Sequence, residues 1–419
     1  MGQGISVAVV GAGIVGVSTA LWLQREGHRV TLIDREGPAA GASYGNGGVL
    51  ASAAVVPVTV PGLLAKAPRM LLDPNQPLFL RWRHLPRLAP WLWRYLSHAN
   101  ARETRRIARA IHGVVADSLS EHLALARGTL AERFVVPSDY LYVYRSRQEF
   151  RADAFGWSLR EELGWQWEEL EGPAFHAYDP VFSRELGFAV RFAGHGHITD
   201  PAAYLRALAA HFQTEGGRVI RAEVTDIARE AGRVTGVRAG GETIAAEAVV
   251  IAAGAWSGAL TRRLGLNVPL ETERGYHLEL WEPSAMPRAP VMIAGGKFVV
   301  TPMEGRLRLA GVVEFGGLAA GPRRAPVELL RRGARAAMPG LRWKEERVWM
   351  GHRPTTADSI PVIGEVPGVE GVWLGFGHHH IGLTAGPRTG RLLAQMISGR
   401  KPNLDVAPYT PARFARQRP

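Results

Sequence analysis

The chain has 419 residues, of which 46% are hydrophobic and 21% charged, an ordinary globular composition long enough for two or more domains. It contains no cysteine, which excludes disulfides, thiolate metal sites, a cysteine nucleophile and a cysteine-linked cofactor. The net charge of +12 admits attraction to an anionic surface or substrate, but only four of the 50 basic residues are lysine, so an arginine-biased composition is the better explanation.

Ile5 to Val10 is a short apolar run suited to a strand buried on both faces. Gly11-Ala12-Gly13-Ile14-Val15-Gly16 follows at once, then a helix-spaced apolar run closed by Gly27, then a second strand from Arg29 that ends in Asp34. A bare G-x-G-x-x-G is weak evidence in a chain with 49 glycines, but strand, glycine turn, helix, strand and acid in this order form a dinucleotide-binding fingerprint. Gly11 permits the turn, Gly13 lets a pyrophosphate approach the backbone, and Gly16 lets helix and strand pack closely. The N-terminus of the helix offers N–H groups to the phosphates. Asp34 suits a ribose 2′-OH and repels a 2′-phosphate, although Arg35 beside it softens that exclusion.

A second small-residue loop, Gly41 to Leu50, comes next, and a glycine-rich loop can approach a planar ligand closely. Its position suggests a cofactor longer than adenosine diphosphate. Val55 to Leu96 mixes prolines, tryptophans and arginines, which fits either a membrane interface or a segment closing over the cofactor. The spacing predicts an amphipathic helix over Ala101 to Arg127 and strands at Tyr140–Arg145 and Gly187–Phe192. Gly194 to Pro201 reads as a turn before a helix, with Asp200 as N-cap and Pro201 in the first turn. That helix spans Ala202 to Glu215. Strands at 219–224, 234–239 and 247–251 follow, and the last runs into Ala253-Gly254-Ala255-Trp256, where the nucleotide domain resumes. Pro269 to Val348 reads as hairpins. The tail carries Gly351-His352-Arg353-Pro354, Asp358 to Gly364, Gly377 to Thr384, and an apolar helix from Thr384 to Ile397.

Gly11 to Asp34, Ser43 to Leu50, Ala253 to Trp256, Arg274-Gly275-Tyr276, Thr301-Pro302-Met303 and the tail motifs together resemble the FAD-dependent D-amino-acid oxidase superfamily, most closely its bacterial D-amino-acid dehydrogenase branch. The resemblance implies an α/β fold: a discontinuous Rossmann-like FAD-binding domain (1–85, 195–268, 346–419) and an α+β substrate domain on an antiparallel sheet (86–194, 269–345). It implies non-covalent FAD held by Gly11 to Gly16, Asp34, Arg35, Ala42, Ser43, Asn46, Gly47, Gly48, Val49, Leu50, Val224, Ala253, Gly254, Trp256, Gly351, His380, Gly382, Leu383 and Thr384. Arg353 resembles the arginine that pairs with the substrate carboxylate, although backbone carbonyls could satisfy it instead. Tyr276 resembles a tyrosine that binds the same carboxylate, and Arg274 and His379 are candidates for the pocket rim. No metal is expected at His378-His379-His380, because adjacent residues do not easily converge on one ion.

The implied chemistry is hydride transfer from the Cα of a D-amino acid to flavin N5, with D-proline or 4-hydroxy-D-proline as candidate substrates. Some relatives reach oxygen through a lysine above the flavin. Arg306 to Gly311 has none, which favours a quinone or other carrier as acceptor. Glycine- or sarcosine-type oxidation with oxygen and a non-catalytic flavoprotein or NAD-binding module remain alternatives. Neither nucleic-acid binding nor a membrane span is expected, and the location expected is cytoplasmic, with peripheral contact at the inner membrane face.

Overall fold

A computed structural model of the chain describes residues 4–63, 73 and 76–415. Pro68 and Pro74 of the proline-rich stretch lie outside the described residues.

Two sheets carry the molecule. The first is six-stranded, in the order 362–365, 372–376, 248–251, 6–10, 29–34 and 218–221. Its strands run parallel except for the antiparallel pair 362–365 and 372–376. Ser6–Val10 is central and almost wholly buried, as a continuous apolar run requires. Helices Ile14–Arg25 and Gly382–Ile397 pack together so closely that a Cβ on Gly390 would lie 2.6 Å from the Ser18 backbone. A three-stranded sheet, 224–230, 233–239 and 242–245, flanks this layer.

The second main sheet has ten strands. It is mainly antiparallel rather than wholly so: Val291–Ile293 runs parallel to Leu141–Val143, and Val313–Phe315 parallel to Leu78–Leu80. Its strands Leu270–Trp281 and Glu345–Thr356 pair along their whole length. The expected segment 346–419 thus contributes strands to both main sheets.

Three local expectations are corrected. His195 and His197 are not in a turn: the strand Phe188–Ile198 carries them, paired with Val135–Ser138, because cross-strand partners outweigh the glycine signals. Asp200 does cap the following helix, accepting from Ala202 and Ala203 N–H. The single helix expected over 101–127 is two, Ala101–Val115 and Ser118–Ala126. The tryptophan-rich stretch does not have one fate. Trp91 is buried and stacks on Tyr95 at 4.6 Å, whereas Trp82 and Trp93 are 59% and 79% exposed. Among the described residues no helix is long and apolar enough to cross a membrane.

Candidate active site

Residues of both main sheets and of the loops and helices between them line a cavity of about 1270 Å³. At one end lies the first glycine turn, Gly11 to Val15. Gly11 has φ +105°, and its N–H donates to Ile33 O at 2.7 Å. A Cβ on Gly13 would meet only Ser43 Oγ, at 3.3 Å, so the backbone there is bare toward the cavity. Gly16 lies behind the turn, where a Cβ would sit 1.8 Å from Gly11 O. The Asp34 carboxylate accepts from the N–H groups of Ala12, Glu36 and Gly37, which ties the turn to the end of the second strand. Arg35 covers the Trp256 ring with its guanidinium 4.1 Å from the ring centre, and both line the cavity.

The wall continues through Ala42, Ser43, Asn46, Gly47 and Val49, then Val224, Ala253, Gly254 and Gly351, and ends at His380, Gly382, Leu383 and Thr384. Three expected cofactor positions fall elsewhere. Gly16 and Gly48 support the loops from behind, and Leu50 is fully buried in the core of the first sheet. The opening residues of helix Gly382–Ile397 are pinned in place: Leu383 O accepts from His122, and Thr384 Oγ1 donates to Val49 O.

Arg308 and His277, which sequence reasoning missed, hold the second loop together with Thr301 of the Thr301-Pro302-Met303 motif. Arg308 donates to Tyr44 O at 3.1 Å and Asn46 O at 2.7 Å, and its charge is matched by Glu279 at 2.6 Å. His277 Nδ1 donates to Gly45 O and Thr301 Oγ1 to Gly47 O. Burial raises the proton affinity of Glu279, but Arg308 and Arg306 overcome it and hold the carboxyl at about 2. The pair therefore stabilises the fold above the ordinary glutamate range and loses that contribution as pH falls toward 2. Replacing Arg308 by alanine removes two loop carbonyl contacts and one buried charge pair. The expected result is a loss of about 3 kcal/mol of stability with weaker FAD retention, read by thermal unfolding and by flavin released on ultrafiltration. Wild-type values for both would remove Arg308 from this role.

Arg353 also lines the cavity. The pairing of strands 270–281 and 306–315 slips between Arg274 and Tyr276, so that Val312 and Val313 together oppose the single Gly275. This bulge places Val312 at φ +48°, a strained conformation for a β-branched residue. It turns the carbonyls of Gly311 and Val312 toward the Arg353 guanidinium, which donates to them at 3.3 and 3.0 Å. The side chain reaches them by crossing Gly275, where a Cβ would lie 2.3 Å from Arg353 Cζ. Backbone carbonyls thus use two of its five N–H groups, and the guanidinium still lines the cavity. Burial lowers the proton affinity of Arg353, opposed by Glu273, yet an arginine stays charged. The histidines around it do not. Burial holds His378 at about 3 and His352 at about 4, and drives His379 well below its usual range. His379 has φ +47° and contacts Thr356 Oγ1.

Arg274 is not at the rim. It is fully buried on the other face of its strand, paired with Glu314 at 3.0 Å and donating to Ala320 and Gly321 carbonyls. Tyr276 touches the cavity, but its hydroxyl donates to Glu314 at 2.6 Å and accepts from Arg323 N–H, so its polar end is already committed. Among the described residues no group of three or more His, Cys, Asp or Glu could hold a metal ion.

The sequence profile described as DAO, FAD dependent oxidoreductase, matches residues 6–396. The chain belongs to this family. DAO-family relatives include a D-amino-acid oxidase of Bradyrhizobium diazoefficiens, 38% identical over 99% of this chain and 100% of that one. A D-amino acid dehydrogenase of Methylobacterium nodulans is 34% identical over 97% and 99%. Among solved structures, glycine oxidase from Geobacillus kaustophilus has a TM-score of 0.74 at 23% identity, covering 100% of both chains. L-proline dehydrogenase from P. horikoshii also has a TM-score of 0.74, at 18% identity over 99% and 98%. These two show the shared DAO fold. The cofactor of the family is FAD, and the residues fit it: a bare glycine turn at a helix N-terminus, an acid at the end of the second strand, and a second glycine loop open to one continuous cavity.

Proposed function

We propose that this enzyme oxidises the C–N bond of D-amino acids, giving imino acids that, for primary amines, hydrolyse to 2-oxo acids and ammonia. The observation that carries this reading is Arg353, a half-buried guanidinium that lines the cavity, is held by a strained bulge, and has the buried, neutral His378 nearby. A planar fork of donors suits a carboxylate. When bound, FAD supplies the two-electron acceptor for the hydride leaving Cα. The protein orients the substrate through its carboxylate and shields it with apolar walls. The N-terminus of helix Gly382–Ile397 presents its positive dipole end to charge developing in the cavity. Relatives bearing the names D-amino-acid oxidase and D-amino acid dehydrogenase support the substrate class.

The purified yellow holoenzyme should lose its visible flavin absorption anaerobically with D-amino acids, D-proline and 4-hydroxy-D-proline included, and not with their L forms. Bleaching by sarcosine or glycine alone would replace this reading with the small-amine alternative. No bleaching by any amine would end it.

For the electron acceptor we favour a quinone or other carrier. The exposed Trp82 and Trp93, beside the exposed arginines 83, 87 and 94, form an aromatic and basic rim where helix Leu85–Ser97 walls the cavity. One observation favours oxygen instead: Lys297, outside the 306–311 segment, also lines the cavity. Reoxidation of the reduced enzyme by a soluble quinone but only slowly by air, with flotation on anionic liposomes, is the expected result. Fast air reoxidation without liposome binding selects the oxidase reading.

A further inference from the structure

Glu273 is a buried carboxylate to which the reading above assigns no work. It stands directly opposite Arg353 in the pairing of strands 270–281 and 345–356, is 4% exposed, and lines the cavity. No ion pair joins the two, because the guanidinium is drawn away across Gly275 to the carbonyls of the bulge. Glu273 rises from the same strand face as Gly275, two residues earlier, about 6.5 Å along the strand. The cavity floor therefore offers a fixed cation and a fixed carboxylate with a gap between them.

That gap has the charge order of an amino-acid zwitterion. A carboxylate held by Arg353 leaves the ammonium on the same carbon within reach of Glu273. Without an anion there, binding the carboxylate would bury an uncompensated positive charge, which is expensive away from water. The carboxylate is frustrated in the complementary sense. Burial raises the proton affinity of Glu273, and Arg353 and the Thr355 hydroxyl only partly offset it. Tyr95, on the neighbouring helix 85–97, is also buried beside this carboxylate and remains a neutral phenol.

We propose that Glu273 is the ammonium-recognising residue of the substrate site, pairing with the α-amino group of the amino acid whose carboxylate Arg353 holds. This rests on the amino-acid reading given above. It makes the site selective for zwitterions over plain acids of the same shape.

The test uses holoenzyme and two ligands: the best substrate from a D-amino-acid panel, and the 2-hydroxy acid of the same side chain, which keeps the carboxylate and lacks the ammonium. In Glu273→Gln, the KM for the amino acid should rise about tenfold or more. The inhibition constant of the hydroxy acid should stay within about twofold, and Glu273→Asp should recover part of the loss. An equal weakening of both ligands would make Glu273 a mere counter-ion of Arg353, and no weakening would make it a bystander; either overturns the proposal. If Glu273→Gln retains no flavin, the wild-type protein decides, since equal affinity for the two ligands also overturns it. Wild-type inactivity on every D-amino acid would instead refute the functional reading itself.

Discussion

Alanine at Arg353 is expected to lower kcat/KM for D-amino acids by roughly thirty- to several-thousand-fold, the loss of about 2–5 kcal/mol that follows removal of a buried charge partner. The flavin content should stay at the wild-type level, because the glycine turn that opens helix Ile14–Arg25 and the strand Glu345–Thr356 that carries Arg353 are different elements. Lysine should restore only part of the loss. It returns the charge but neither the planar fork nor the paired bonds to Gly311 and Val312 carbonyls that aim it. Steady-state kinetics with flavin-normalised enzyme checks both variants. A lysine variant with wild-type kcat/KM would show that charge alone suffices, and an alanine variant with unchanged kinetics would remove Arg353 from substrate binding.

The parts of the site legible in the sequence are those whose chemistry lies in contiguous residues. Gly11 to Asp34 carries its own turn, helix and acid, and the Gly377–Thr384 motif opens its own helix, so neither needs the rest of the fold to be read. Arg308 is different. It reads as one more polar residue in an alternating strand, and its bonds to the 44–46 loop join residues 262 and 264 apart. Glu273 and Tyr276 show the limit of motif reading. Within Arg274-Gly275-Tyr276 the strand period of two sends Arg274 to the face opposite Gly275 and Glu273. The motif's arginine therefore pairs with Glu314 while its unremarked neighbour Glu273 meets the cavity. The bulge at Val312–Val313, which aims Arg353, follows from a register slip between distant strands that no local pattern announces.

The two glycines of the first turn should fail in different ways, and the contrast separates cofactor binding from folding. A methyl group on Gly16 would sit 1.8 Å from Gly11 O and 2.9 Å from Gly11 C. Those are backbone atoms of a turn already held by the Gly11–Ile33 bond, so nothing can swing aside. Gly16→Ala should therefore cost about 1–3 kcal/mol of stability or more, as overpacked sites do, and lose FAD as well. At Gly13 the φ of −76° suits any residue, and a methyl group would meet only Ser43 Oγ, at 3.3 Å. Gly13→Ala should leave the apoprotein as stable as the wild-type apoprotein while the methyl group stands where the pyrophosphate must approach. The measurement is thermal unfolding of each apoprotein with and without added FAD: wild type stabilised by FAD, Gly13→Ala normal but unresponsive, Gly16→Ala lower and unresponsive. A Gly13→Ala protein that FAD stabilises as fully as wild type would mean that the diphosphate does not lie against this turn, and the cofactor orientation on which the Arg353 chemistry depends would have to be reversed.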